Sequence, residues 1–322
     1  MKRRDFIRLT GGAVAAWPAS TLAQFDASRP ITMIVPFPAG GGADILVRIL
    51  TKHMNENLGQ NFIVQNVPGA GGALAFAQVA RAAPDGHTLG WTSAGFPVMA
   101  ATLSNLTFSP ERDFIHVCEV SENPFVLVVN PTLPVNSVKE LLDHAKAHPG
   151  TLNFAHNGAA TLTNLVIELL KIQTGISVVQ VPYRGDNFSV ADVIAGNVQA
   201  MFSNSPVALP HVAAGRLRGL AVTSSRRSSA APDLPTMAEA GVPDFKVSIW
   251  QGFSAPAGTP RAVVDRLNAS AREALRVPDV IERFKQLGAE RVGSSPEEFE
   301  KLVAGELVVW RDVVRRSGVK AN

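Results

Sequence analysis

The chain has 322 residues, 46% of them hydrophobic, and a formal net charge of +3 at pH 7. That is long enough for two compact domains with cores of their own, and 26 glycines and 22 prolines against 7% aromatics suit an α/β protein rather than a helical bundle. The excess charge belongs to the first residues, where Lys2, Arg3, Arg4 and Arg8 face only Asp5, so the remainder is neutral overall and lacks the broad basic face that nucleic-acid binding requires.

Residues 1–24 have a basic start, a weakly apolar middle and a small-residue end at Thr21-Leu22-Ala23, the layout of an export signal. Within them Arg3-Arg4-Asp5-Phe6-Ile7-Arg8 looks like a twin-arginine signal. No lipid-attachment cysteine stands at the cleavage region, and no later apolar stretch approaches membrane-spanning length, so a soluble periplasmic product is expected.

The mature chain then alternates strands and helices. Ile31 to Val35 reads as a buried strand, Gly40, Gly41 and Gly42 permit a tight reversal, and an amphipathic helix begins at Ala43. Such a junction aims the unpaired N–H groups of the first helical turn beyond the strand's carboxyl end, where the helix dipole favours an anion. The glycines also serve simply to close the turn, and Asp44 to complement the dipole. No Gly-Lys-Ser/Thr follows, so the loop is not a nucleotide cradle.

Asn61–Asn66 is a second strand, Gly71–Arg81 a helix and Thr88–Thr92 a third strand. Two apolar strands, Phe114–Val120 and Phe125–Val129, follow a polar stretch; Cys118, the single cysteine, lies in the first and reads as a small buried hydrophobe. Beyond Asn130-Pro131 the plan repeats: a helix to Ala147, the strand Leu152–Ala155, the loop His156–Thr161, a helix to Thr174, the strand Ser177–Val181, the helix Phe188–Ala195 and the strand Val198–Phe202. The tail crosses back near Trp250–Ala255 and is helical to Arg316, with a cap and early acids at Ser294-Ser295-Pro296-Glu297-Glu298. The expected division is residues 25–130 as the first part of one lobe, 131–245 as the second lobe, and 246–322 as a return crossing whose helices pack on the first. The fold class is therefore α/β, two lobes, each a mainly parallel sheet flanked by helices.

Catalytic constellations are absent from the pattern: no Gly-x-Ser-x-Gly elbow, no His-Glu-x-x-His and no cysteine cluster. His144 and His148 share a helix face without a third ligand beside them, and His156 is a loop histidine open to either a ligand or a capping role. No catalytic residue, metal ligand or cofactor is expected. Small or hydroxylated residues instead gather where strands end, at Pro38–Gly42, Ser93–Gly95, Asn157–Thr161 and Ser203–Ser205, with Tyr183-Arg184-Gly185 alongside.

Seven motifs, in order and covering the mature chain, carry a family resemblance: Val35-Pro36-Phe37-Pro38-Ala39-Gly40-Gly41-Gly42-Ala43-Asp44, Asn66-Val67-Pro68-Gly69-Ala70-Gly71-Gly72, Pro84-Asp85-Gly86-His87-Thr88-Leu89, Pro182-Tyr183-Arg184-Gly185, Ala214 through Ala221, Pro235 through Gly241, and Ala255 through Pro260. They resemble the tripartite tricarboxylate transporter receptors, the Bug-type periplasmic solute-binding proteins. The resemblance implies a type II-like periplasmic-binding-protein fold with two crossing strands as hinge. It also implies closure of a clam shell on an organic acid, and delivery of that acid to the permease subunits of a membrane transporter by a monomeric receptor.

The family holds carboxylates largely through backbone N–H groups. Carried over, the first lobe contributes Phe37, Ala39, Gly40, Gly41, Asp44 and Ser93, and the second Gly158, Thr161, Tyr183, Gly185 and Ser203. The chain departs from the family where small residues usually follow the Tyr-Arg/Lys-Gly triplet, having Asp186, Asn187 and Phe188, and it has Asn164 where a histidine is common. Asp186 or Phe188 is expected to reshape the pocket toward a ligand with an amino or hydroxyl donor or an aromatic ring, unless both point away. Two other readings stay open on sequence alone: an exported α/β enzyme acting on an anionic substrate, and a receptor that docks a membrane protein other than a permease.

Overall fold

The computed structural model describes residues 29–158 and 161–319, so the expected export signal lies outside the described residues. Strand β1 (Ile31–Val35) leads through the glycine turn into helix α1 (Gly42–Leu58). That helix buries Leu46, Val47, Leu50, Met54 and Leu58 at the three- and four-residue spacing of one face. It stops at Gly59, whose φ of 63° is costly for any residue with a Cβ. Strand β2 (Phe62–Asn66), helix α2 (Ala73–Ala80) and strand β3 (Thr88–Ser93) follow as expected. Helix α3 (Gly95–Thr102) carried no sequence signal, because it is apolar all round and contains Pro97; the proline falls in the first turn, where no helical N–H bond is lost.

Strand β4 (Phe114–Val129) is one 16-residue strand rather than two short ones. Pro124, which reads as a break, sits where the strand changes partners, so its missing N–H interrupts neither ladder. Then come α4 (Val138–Ala147), β5 (Asn153–His156), α5 (Leu162–Thr174), β6 (Val179–Pro182), α6 (Asp186–Ala195), β7 (Ala200–Asn204), α7 (Ser205–Ala213) and β8 (Arg218–Val222). Helix α7 was not expected, since Pro206 and Pro210 mask it, and neither was β8. The chain closes with β9 (Ser248–Pro256), α8 (Arg261–Ala274), α9 (Pro278–Gln286), β10 (Glu290–Arg291) and α10 (Pro296–Ser317), the last begun by a Ser295/Glu298 capping box.

Among the described residues the strands form one ten-stranded sheet, ordered β2-β1-β3-β9-β4-β7-β5-β6, with β10 and β8 also on β4. The first half of β4 pairs with β9 and β10, the second half with β7 and β8. In the first lobe β9 runs against β3 and β4, and the short β10 against β4, while β1, β2 and β3 are parallel; in the second β4 runs against β7 and β8, while β5, β6 and β7 are parallel. Both faces of each half are covered by buried apolar clusters.

The last helix does more than return to the first lobe. Phe299, Val303 and Leu307 join the first-lobe cluster of Phe76, Phe96 and Trp250, whereas Trp310 and Val313 join the second-lobe cluster of Leu165, Val166 and Leu169. At 1.5 Å per residue its 22 residues span about 33 Å, enough to bridge the junction.

Two carboxyls lie at this junction, Glu119 buried and Glu306 half-buried. Burial, reinforced by Glu122, pushes Glu119 up to about 8, and burial raises Glu306 on α10 to about 7, while Lys246 opposes both shifts. Each group binds its proton more tightly folded than unfolded, so its contribution is complete below the ordinary value of 4.5 and is lost as pH rises through 7 to 8. A Glu119→Gln variant is therefore expected to lose less stability than the parent between about pH 5 and pH 9, read as urea midpoints. Parallel midpoint curves for the two proteins would show that Glu119 does not titrate in that window.

Candidate functional site

A cleft of about 820 Å³ opens where the carboxyl ends of the parallel strands from both lobes meet. On the first-lobe side it is walled by Phe37 to Ala43 of the β1–α1 turn and by Ser93 to Gly95 at the start of α3. The second lobe supplies Asn157, Thr161 to Thr163, Asp186 and Asn204. Phe125, Ile249 and Gln251 of the two crossing strands complete the lining.

The β1–α1 turn is held from behind. Asp44 is 3% exposed and accepts from Gly40 N (2.9 Å), Arg48 Nε (3.0 Å) and Asn66 Nδ2 (2.9 Å). Asn66 Nδ2 also donates to Phe37 O at 3.0 Å, so two side chains fix both ends of the turn. The Arg48 guanidinium above all, with the bonds from Gly40 and Asn66, holds the Asp44 carboxyl down at about 2 against the cost of its burial. Asp44 is thus absent from the cleft wall, and its acceptors are spent on shaping the loop. Helix α1 has no side-chain cap, and among the described residues no protein acceptor takes the N–H groups of Gly41, Gly42 or Ala43. These amides and the positive end of the α1 dipole belong to the cleft wall.

On the second-lobe side the described ends of the loop after β5 are tied together. Thr161 caps α5 by accepting from Asn164 N and donates to Gly158 O at 2.7 Å. His156 is buried and its Nδ1 lies 2.9 Å from the same carbonyl; burial lowers its basicity, and it does not reach the cleft. Gly158 and Gly185, with φ of 109° and 151°, form turns behind the wall rather than the wall itself. Tyr183 turns away: its hydroxyl donates to Asp192 Oδ2 at 2.7 Å, and burial together with Asp192 pushes the phenol up to about 12. Ser203 is wholly buried within its lobe, because alternate residues of a strand face opposite ways and it is Asn204 that faces the cleft.

Of the sequence-derived residues, Phe37, Ala39, Gly40, Gly41, Ser93, Thr161 and Asp186 line one cavity, whereas Asp44, Gly158, Tyr183, Gly185 and Ser203 stand behind it. Phe188 is 65% exposed and outside the lining. The crossing-strand residues were not anticipated. Gln251 is the informative one, since a lone amide in a buried apolar strand is a usable signal. Trp91 Nε1 can only donate and reaches Gln251 Oε1 at 3.0 Å, so the Gln251 NH₂ is left over as a donor with no bonded partner among the described residues. Among the described residues the lining contains no Lys, Arg or His.

Comparison with known proteins gives the family and the fold. A family described as "Tripartite tricarboxylate transporter family receptor" matches residues 46–319. A protein from the tcbD-tcbE intergenic region of Pseudomonas sp. (strain P51) is 39% identical, over 98% of this chain and 95% of its own length. BugT of Bordetella pertussis is 37% identical, over 96% and 95%. Among solved structures, an R. palustris protein with adipate superposes with a TM-score of 0.70 at 32% identity, covering 91% of this chain and 98% of its own. MatC from Rhodopseudomonas palustris with bound malate gives 0.69 at 34%, covering 89% and 99%. A TctC solute-binding protein from Polaromonas with no ligand gives 0.82 at only 26%, covering 90% and 99%.

Proposed function

We propose, from the premise that this chain belongs to the tripartite tricarboxylate transporter receptor family, that it captures a small organic carboxylate in the cleft between its lobes and hands it to a membrane permease. The observation that carries this reading is the set of unspent amides at the head of α1, braced by Asp44 and Asn66, in a wall without cationic side chains. Hydrogen bonds from several N–H groups to an ionised carboxylate are each about twice as strong as neutral ones, so such a wall grips an acid without arginine. Ser93 Oγ, Thr161 and the Gln251 amide supply further polar contacts.

Binding is followed by closure at the crossing strands, with residues 131–245 swinging against the rest and the ligand providing contacts to both lobes that the open form lacks. The higher TM-score to the ligand-free Polaromonas protein, despite its lower identity, supports reading the present arrangement as the open one. The neighbours solved with malate and adipate support an organic acid as the ligand, and the neighbour described as the periplasmic binding protein BugD supports a periplasmic location.

The test is a thermal-shift screen of the purified mature protein against organic acids. Ligand at ~100 times its dissociation constant is expected to stabilise the fold by about 2.7 kcal/mol. A flat response to every acid, in protein stripped of carried-over ligand by unfolding and refolding, would discard the reading.

A further inference from the structure

We propose that Asp186 makes this receptor selective for monocarboxylates carrying an amino or hydroxyl donor at their far end, and excludes dicarboxylates; the inference rests on the carboxylate-receptor reading above. Asp186 lies in the first turn of α6 and lines the cleft. Its Oδ1 accepts from Asn157 Nδ2 at 2.6 Å and its Oδ2 from Asn204 N at 3.1 Å, the amide that heads α7. Those are donors that the second carboxylate of a diacid would otherwise take on this lobe. The protein's own carboxylate already occupies them, and no Lys, Arg or His pairs with it among the described residues.

Asn204 adds to the same character. Its Oδ1 is buried, lies in a residue of the cleft lining, and has no hydrogen-bond partner among the described residues. A buried acceptor left without a donor is costly, so it calls for a ligand that brings one.

The two walls therefore differ. The first lobe offers amides and a helix N-terminus, which suit a carboxylate; the second, beside the head of α5 at Thr161 to Thr163, adds a carboxylate and an amide oxygen, which suit an ammonium or a hydroxyl. A diacid would set two like charges against each other on closure, in a site from which water is being expelled. A monocarboxylate with a donor at its other end satisfies both walls at once.

The test compares 4-aminobutyrate, 4-hydroxybutyrate, butyrate, succinate and adipate, by calorimetry, on the full mature protein and on Asp186→Asn and Asp186→Ser. The parent is expected to prefer the amino or hydroxy acid over either diacid by ~100-fold or more. The substitutions are expected to raise succinate or adipate affinity at least tenfold and to lower that of the amino acid. Equal affinity of the parent for mono- and diacids, or an unchanged ratio in both variants, would overturn the proposal while leaving the receptor reading intact. Failure of parent and variants alike to bind any acid would overturn the receptor reading and this proposal with it. Should the variants not fold, the parent's ratio alone decides.

Discussion

A Gly42→Pro substitution is expected to weaken carboxylate binding by roughly 10- to 100-fold, the worth of one hydrogen bond to a charged group, with the fold as stable as before or slightly more so. Gly42 is the first residue of α1, the one helical position where proline fits without loss, because the N–H it removes has no helical partner. The preceding residue must be extended to tolerate a following proline, and Gly41 already is, at φ −76° and ψ 166°. A Cβ at Gly42 meets nothing within 4 Å, so the first added carbon enters open space. Gly42→Ala is the companion variant, since it adds a methyl group but keeps the amide. Calorimetry on the two separates the amide from the bulk: affinity lost in both equally would assign the effect to crowding and count against a backbone grip.

Gly252→Ala is expected to be severely destabilising, by about 3 kcal/mol or more, at the upper end of what overpacking costs. Gly252 sits on β9 opposite Glu119, between two irregularities of β4 that crowd the ladder there. A Cβ at this position would fall on the carbonyl oxygen of Cys118 and lie 2.6 Å from Phe299 Cζ. Neither neighbour has room to yield. The Cys118 oxygen is sheet backbone, and the Phe299 ring is fully buried, edge-on to Trp250 and to His116 at 5.3 Å from each. For a domain of this size, that loss is a fall in melting temperature of roughly 6 to 12 °C, measurable by calorimetry. A shift below 2 °C would mean that the junction between β4, β9 and α10 is looser than its packing indicates.

How far the chain announces its own architecture depends on the range of the signal. The β1–α1 turn was legible because its cause is local: an apolar run, three glycines and a helix start within a dozen residues. The lobe repeat and the two crossings were legible for the same reason. The role of Asp44 was not, because a carboxylate beside a binding loop looks the same in one dimension whether it faces ligand or loop. Arg48, one turn on, and Asn66, on the neighbouring strand, decide it. The Ser203 expectation turned on parity, since a one-residue difference on a strand exchanges cleft for core. Phe125, Ile249 and Gln251 entered the lining only through the pairing of long strands far apart in sequence, which no local pattern encodes.

The length of α10 carries a consequence for affinity. A rod whose two ends are buried in different bodies acts as a spring across the joint, so every swing must strain or repack one end of it. Under the proposed closure, the balance between open and shut would be set at Leu307, Trp310 and Val313, and the dissociation constant would be the intrinsic one divided by the fraction of molecules able to close. Receptors with identical loops around the acid would thereby differ in how tightly they hold it, tuned from a tail that never meets the solute.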